Sequence, residues 1–460
     1  MDLDESRWLD LKRGSGETLR SALERTLREA ILTGALREGV RLPGSRALAH
    51  ALGLSRGVVT DAYGQLEAQG FLVTRARAVP TVAAVPRRDT VRRDPEKRAP
   101  VPLYDLTPTA PDVLLFPLSR WLAAGQHAAR RANRSTLDYR EPRGEQTLRA
   151  ALADHLGRTR GVIAEPDQIV IVQGTAQGVD LLLRILRVRG ASRVAVEDPS
   201  HVTQHERTRS LGFELVPRPV DDDGMIVDGL HAEAVLVTPA HQFPTGSVLS
   251  GERRRELLAW SRQTGGLIVE DDYDSEFRYD REPVRALQGL APGHVVQLGT
   301  ISKTLAPALR LGWVVAPAAL ADLFASTKRL LDDFSPALDQ LTFAEFLTRG
   351  HYDRHLRRAR AVYRSRRDRV LAAIAEHLPE LAVEGIAAGV HLLLRLPPEL
   401  DDHDVASRAR RAGIAVPPLS AFRLTPSETG GLVLGYGRLH ESAVDGAIRA
   451  LAKVVGERHS

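Results

Sequence analysis

The sequence predicts an α/β domain on a largely parallel sheet and, in front, a small helical head carrying a two-stranded wing. Three observations support this. Beyond Leu103, short apolar runs alternate with longer helical stretches; polar motifs follow several of those runs directly; and three short helix patterns with glycine stops precede two brief strand patterns.

The head is expected over residues 12–83. Within 17–33, Leu19, Leu23, Leu27 and Ile31 recur every four residues, the spacing of an amphipathic helix ending near Gly34. A second helix starts after Pro43, with Ser45 expected as its N-cap, Leu48, Ala49 and Leu52 turned inward, and Gly53 breaking it. Ser55 can cap a third, in which Val59, Ala62, Tyr63 and Leu66 form one buried stripe and Gly70 marks the end. Arg56, Gly57 and Thr60 then face outward near its first turn. FLVTRARAVPTVAA reads as the two strands of the wing, and residues 84–102, rich in proline and charge without periodicity, as a linker. Residues 12–100 hold 17 Lys and Arg against 9 Asp and Glu, whereas residues 101–460 hold 45 of each. A basic surplus at one end favours a polyanionic partner, although linker arginines such as Arg87 and Arg92 could equally be solvated charge.

Residues 103–460 form the large domain. Its strand-like runs lie at 169–172, 193–196, 234–237, 267–269, 295–298 and 312–315. In parallel sheets ligands bind at the carboxyl ends of the strands, so the polar motifs there are site candidates. No apolar run is long enough to span a bilayer and no charged-then-apolar leader opens the chain, so a soluble cytoplasmic protein with no membrane partner is expected. With no cysteine there is no thiolate metal site, and the 15 histidines show no HExxH pairing, so no metal is expected. The basic run at 354–369 reads as a solvated helix face, with a second DNA or interdomain surface as the alternative.

The stretch LREGVRLPGSRALAHALGLSRGVVTDAYGQLEAQGFL resembles the GntR family of bacterial winged helix-turn-helix regulators. In that arrangement the helix after the Gly53 turn lies in the major groove of double-stranded operator DNA. The resemblance implies DNA contacts by Arg46, Ser55, Arg56, Thr60 and Tyr63, arginine being suited to guanine edges and phosphates alike. The wing has no glycine between Arg75 and Ala83, which argues against close minor-groove contact. A packing module that binds protein is the alternative.

In QLGTISKTLAPALRLGW a lysine follows a strand, with hydroxyls before it and Arg310 seven positions after. A Schiff-base lysine must sit against an aldehyde carbon, while hydroxyls and a cation hold a phosphate; Lys303, Thr300, Ser302 and Arg310 are the matching groups. This segment resembles the fold-type I, aspartate aminotransferase-like enzymes, which carry pyridoxal 5′-phosphate (PLP) on such a lysine, and the resemblance implies a smaller C-terminal α+β subdomain. The resemblance implies three further stations. Thr175 and Ala176 begin a helix after a strand, where free amides bind phosphate. In LIVEDDYDSEFRY, Asp271 would pair with the pyridine nitrogen and Tyr273 approach the phenolic oxygen. Tyr139 resembles the tyrosine that a neighbouring subunit lends to the phosphate, which would make the site a property of a homodimer.

A GntR-type head, a linker and this second domain make up the layout of the MocR branch of the family, and TPAHQFPTG, EDDYDSEF and SKTLAPALRLGW are close to its usual wording. Positions that hold substrate in aminotransferases are altered. Phe243 stands where asparagine usually precedes Pro-Thr-Gly, Val433 where an arginine clamps the α-carboxylate, with Arg438 five residues on expected to point elsewhere. In EDPSHVTQ, His201 takes an aromatic position that would stack on the pyridine, and Thr203 the place of an arginine in a GABA-responsive member. The losses favour PLP itself as the effector, as in the PdxR-type regulators of pyridoxine synthesis. An active transaminase with an accessory DNA-binding head and an amino-acid-responsive regulator are the alternatives.

Overall fold

The computed structural model describes residues 11–14, 16–74, 78–84, 101–108, 110–279 and 284–457. It divides into two compact units, residues 1–100 and 101–460. The central part of the wing, residues 75–77, and most of the expected linker, 85–100, lie outside the described residues.

Among its described residues the first unit holds three helices, α1 (Leu19–Leu32), α2 (Ser45–Leu52) and α3 (Arg56–Ala68), and a two-stranded antiparallel sheet of β1 (Leu72–Val73) and β2 (Thr81–Val82). Leu23, Leu27 and Ile31 from α1 meet Leu48 and Ala49 from α2 and Val59, Ala62 and Leu66 from α3 in one core closed by Leu72 and Val82. Leu19, expected on the same stripe, is 42% exposed because it begins its helix beyond that core. The N-cap of α2 is Gly44 and Ser45 is already helical, so the expected serine cap is displaced by one residue. Gly53 ends the helix at φ 63°, the left-handed conformation that glycine adopts without steric cost. Ser55 caps α3 as expected, accepting a hydrogen bond from the Val58 amide.

The second unit opens with β3 (Tyr104–Asp105) and continues through β4 (Ile169–Val172), β5 (Arg193–Asp198), β6 (Glu214–Asp221), β7 (Gly224–Met225), β8 (Ala234–Val237), β9 (Leu267–Asp272), β10 (Val295–Thr300) and β11 (Gly312–Val315). Eight of these form one sheet in the order β4-β11-β10-β9-β8-β5-β6-β7. Neighbours are parallel except that β11 runs against both β10 and β4, and β7 against β6. The runs IVIV, AVLV and GWVV are apolar at every position because both faces are covered. Leu181, Leu182 and Phe324 pack on one side with Val172, Val296 and Val314; Leu257 and Trp260 pack on the other with Val235, Ile268 and Val295. The sequence reading missed β6, whose alternating prolines and charges break the apolar signal, and β7, which is two residues long.

A smaller sheet of β12 (Val383–Glu384), β13 (His391–Arg395) and β15 (Gly431–Gly435) is antiparallel, and β14 (Ile414–Ala415) pairs with β3. Several residues of the basic run are not simply solvated. Arg366 is buried, bonding Asp112 at 2.6 Å and the Gly437 carbonyl, Arg360 donates to the Glu276 carbonyl, and Arg354 and Arg369 make polar contacts near the surface. Among the described residues no helix is long and apolar enough to cross a membrane.

Candidate functional site

The topology collects the candidate residues at one edge of the large sheet. Because β4, β5, β9 and β10 share a direction, their carboxyl ends deliver Gly174, Ser200, Asp271 and Thr300 to that edge. Strand β11 is antiparallel, so its beginning lies there too, and Arg310 just before it arrives beside the start of the helix Thr175–Val188. Thr300 pairs with Gly312, and Gly312 with Val172, which fixes this register.

Close backbone approach is required at two glycines. Gly174 has φ 88°, and a Cβ there would sit 3.2 Å from Arg310 Nη2. At Gly312 a Cβ would lie 2.6 Å from the Gly299 carbonyl and 3.0 Å from Gly174 Cα. The Arg310 guanidinium donates to the Gln173 carbonyl at 2.5 Å, and its backbone is left-handed at φ 47°. Buried Lys328 holds Asp332 at 2.6 Å, Asp332 accepts from Gln177 at 2.7 Å, and Gln177 accepts from the Gln173 amide at 2.9 Å. Thr175 and Ala176 therefore begin their helix on a fixed turn, with first-turn amides outside the intrahelical ladder. Nearby, the Thr300 hydroxyl lies 2.9 Å from Ser302 Oγ and accepts from the Ser302 amide at 3.1 Å.

Strand alternation separates the two adjacent aspartates. Asp272 turns to the far face and pairs with Arg160 at 2.9 Å, whereas Asp271 faces the cavity lined by His201, Gln204, Phe243 and Tyr273. Asp271 Oδ2 accepts from Gln204 Nε2 at 2.7 Å; Oδ1 is buried without a hydrogen-bond partner. Burial pushes this carboxyl up to about 6 against the opposing effects of Gln204 and Lys303. Lys303 follows β10 in a turn, where burial holds its amine below the ordinary lysine range while Asp274 and Asp271 pull the other way. A less basic amine is a better nucleophile near neutral pH.

His201 stacks on Phe243, centroids 4.9 Å apart and planes 26° apart, and burial with Lys303 nearby pushes its imidazole down to about 4. Phe243 also meets Phe422 edge-on at 5.1 Å. Tyr273 is buried, its hydroxyl donating to the His241 carbonyl at 3.1 Å and lying 3.2 Å from His241 Nδ1. Val433 is fully buried in an apolar cluster with Leu393 and Leu419. Arg438 is turned to Asp105 at 3.2 Å, and the Thr203 hydroxyl lies 3.4 Å from His201 Nδ1.

Tyr139, expected to serve a neighbouring subunit, is 87% exposed with its ring edge-on to Phe334 at 6.0 Å and does not line the cavity of its own chain. The expectation for Tyr63 meets a different geometry. Tyr63 is 6% exposed and its hydroxyl donates to the Pro43 carbonyl at 2.9 Å, so it ties α3 to the segment before α2 and does not present itself to a groove. Arg46, Ser55, Arg56 and Thr60 are exposed or partly exposed near the starts of α2 and α3, the Thr60 hydroxyl bonded back to the Arg56 carbonyl.

Sequence reasoning missed Gln204, His241, Asp274 and His391. Gln204 had a signal, lying one turn after His201 at the start of its helix. The others come from three distant segments, yet His241, Asp274 and His391 are buried together with ligand atoms within 4.8 Å of one another.

Residues 109–438 match the family aminotransferase class I and II, and residues 19–82 match the bacterial regulatory proteins of the gntR family. Over 441 residues the chain is 32% identical to the HTH-type pyridoxine biosynthesis transcriptional regulator PdxR of Corynebacterium glutamicum, covering 94% of this chain and 95% of that one. It is also 32% identical over 470 residues to the probable rhizopine catabolism regulatory protein MocR of Rhizobium meliloti, covering 96% and 95%. The chain belongs to the MocR-type GntR regulators. Such a regulator joins the GntR head to an aminotransferase-like fold, and an archaeal alanine:glyoxylate aminotransferase matches that fold with TM-score 0.72 at 28% identity, covering 78% of this chain and 92% of the enzyme. The multiple substrate aminotransferase of Thermococcus profundus does so with TM-score 0.71 at 26% identity, covering 79% and 92%.

Proposed function

We propose that this MocR-type regulator holds PLP on Lys303, works in the cytoplasm as a homodimer on operator DNA, and reads PLP occupancy to control genes of vitamin B6 metabolism. This reading is carried by a buried Asp271 Oδ1 without a hydrogen-bond partner, close enough to a desolvated Lys303 amine for each to shift the other, while Val433 packs in an apolar core. The residues present suit the group. Asp271 offers a carboxylate oxygen to a protonated ring nitrogen, and His201 a flat face to the ring. Thr175 and Ala176 amides with Thr300, Ser302 and Arg310 form an anion cradle. When bound, PLP supplies an aldehyde for Lys303 Nζ and a ring that draws electrons. The pyridoxine-related name of the C. glutamicum relative supports the choice of effector.

The rest of the machinery transmits occupancy. A ligand that binds the DNA-competent and DNA-incompetent arrangements unequally shifts their populations by its differential affinity. A dimer is supported by an apolar face that water should not cover: Leu114 is 86% exposed, and Leu118 and Leu122, one turn apart on the helix Leu118–Arg131, remain more than half exposed. Tyr139 of the partner subunit would complete the phosphate cradle. Replacing Leu118 and Leu122 together by glutamate is expected to convert the dimer to monomer in sedimentation velocity; an unchanged profile would place the interface elsewhere.

On the head, Arg46, Ser55, Arg56 and Thr60 are the proposed DNA contacts. Arg56→Ala is expected to weaken operator binding by about ten- to a hundredfold, the cost of one base-reading or phosphate contact. Fluorescence anisotropy on a labelled fragment from the protein's own upstream region checks this. A variant that binds like the wild type at every salt concentration would remove Arg56 from the interface. The transaminase alternative is tested by adding millimolar amino acids to the PLP-loaded protein and following loss of the visible band; rapid conversion would replace the sensor reading.

A further inference from the structure

We infer that His391 is a binding residue of the Lys303 pocket, donating a hydrogen bond to the ring oxygen of a 3-hydroxypyridine ligand, and that the Asp274–His241 pair positions it. This rests on the proposed PLP-binding reading and adds a residue to it.

His391 opens β13 and is 2% exposed, yet neither ring nitrogen has a hydrogen-bond partner; the Pro244 backbone approaches the ring without well-formed bond geometry. A buried imidazole left in that state is costly unless something outside the chain satisfies it. Its surroundings are specific. The His241 ring lies 4.8 Å away and the Phe243 ring 5.2 Å away, edge-on. His241 is fixed in turn by Asp274, with Nδ1 and Oδ2 2.9 Å apart. Gly389, two residues before His391, has φ 66°, and a Cβ there would lie 2.2 Å from His241 Cε1 and 2.6 Å from Asp274 Oδ2. No side chain fits between the approach to β13 and the pair, so that approach is held tightly against it.

The two residues expected beside the ring oxygen offer it no free donor. Tyr273, expected at the phenolic oxygen, already donates to the His241 carbonyl, and Phe243 carries no donor where aminotransferases place asparagine. Burial, His241, Lys303 and His201 disfavour protonation of His391 against the opposing Pro244 backbone, and the neutral ring that results has one N–H to donate and one lone pair to accept. A divalent cation is the competing occupant of the three-residue cluster. It would have to displace the proton shared by His241 and Asp274, and for that reason we favour the organic ligand.

The test uses the full-length protein, titrated with PLP while the visible band is recorded, then titrated with base to find the pH at which that band shifts. A donor to the phenolic oxygen stabilises its anionic form and loosens its hold on the imine proton. His391→Ala is therefore expected to weaken PLP binding about tenfold and to raise the pH midpoint by about one unit. His391→Asn, which keeps a donor, should restore most of both. A folded Ala variant, checked by thermal melting, with unchanged affinity and midpoint would overturn the inference alone. Zinc bound stoichiometrically by the wild type and lost with His391 would also overturn it. A wild type that forms no visible band with PLP would overturn the underlying reading as well.

Discussion

Lys303→Ala should abolish the visible absorbance that PLP gives with the wild-type protein and, with it, any effect of PLP on DNA binding. Attachment through Nζ is a covalent contribution that the remaining cradle cannot replace, and PLP held by Arg310, Thr300 and Ser302 alone would exchange freely. The amine is prepared for the reaction, since burial favours its neutral form while Asp271 and Asp274 keep it from being fully desolvated of counter-charge. The absorption spectrum of PLP-saturated protein after gel filtration is the check. A visible band that persists in the Ala variant would mean that another amine carries the group.

Asp271→Asn should have the second-largest effect, weakening PLP binding by about a hundredfold or more. Removing one partner of a buried ion pair costs about 3–5 kcal/mol because the other charge is left uncompensated. The pH dependence follows from the direction of the shift. Burial pushes the Asp271 carboxyl up to about 6, so in the empty pocket it becomes neutral as pH falls through that value and loses its attraction for a protonated ring. Wild-type affinity should therefore fall below about pH 6 relative to its value at pH 8. Asp271→Asn should lack that inflection, because the amide does not titrate. Equal pH profiles for the two proteins would assign the loss to PLP's own ionisations.

Much of this was legible in the sequence where function and local structure share a signal. The core of the head follows from the spacing of Leu23, Leu27 and Ile31, and Gly53 announces its own left-handed turn. Asp271 lies at the end of β9, and Lys303 and Thr175 each lie three residues beyond a strand, so the apolar runs point to the segments that hold these candidates. Cap identity was less legible: Ser45 and Gly44 both suit an N-cap, and only the backbone decides between them. Tyr63 lies on both a buried stripe and an outward-facing motif, and packing settled the conflict in favour of Pro43. His241 and Asp274 lie within the quoted motifs TPAHQFPTG and EDDYDSEF, but nothing there marks them as partners of each other or of His391. Each is an ordinary polar residue in its own segment, and only the fold of the smaller sheet against the large one unites them.

The most direct test of the central claim is operator affinity measured with and without saturating PLP, for wild type and Lys303→Ala side by side. Wild-type affinity should change with PLP, and that of the variant should not. Wild-type binding that is indifferent to PLP, while the visible band shows the pocket to be full, would contradict that claim.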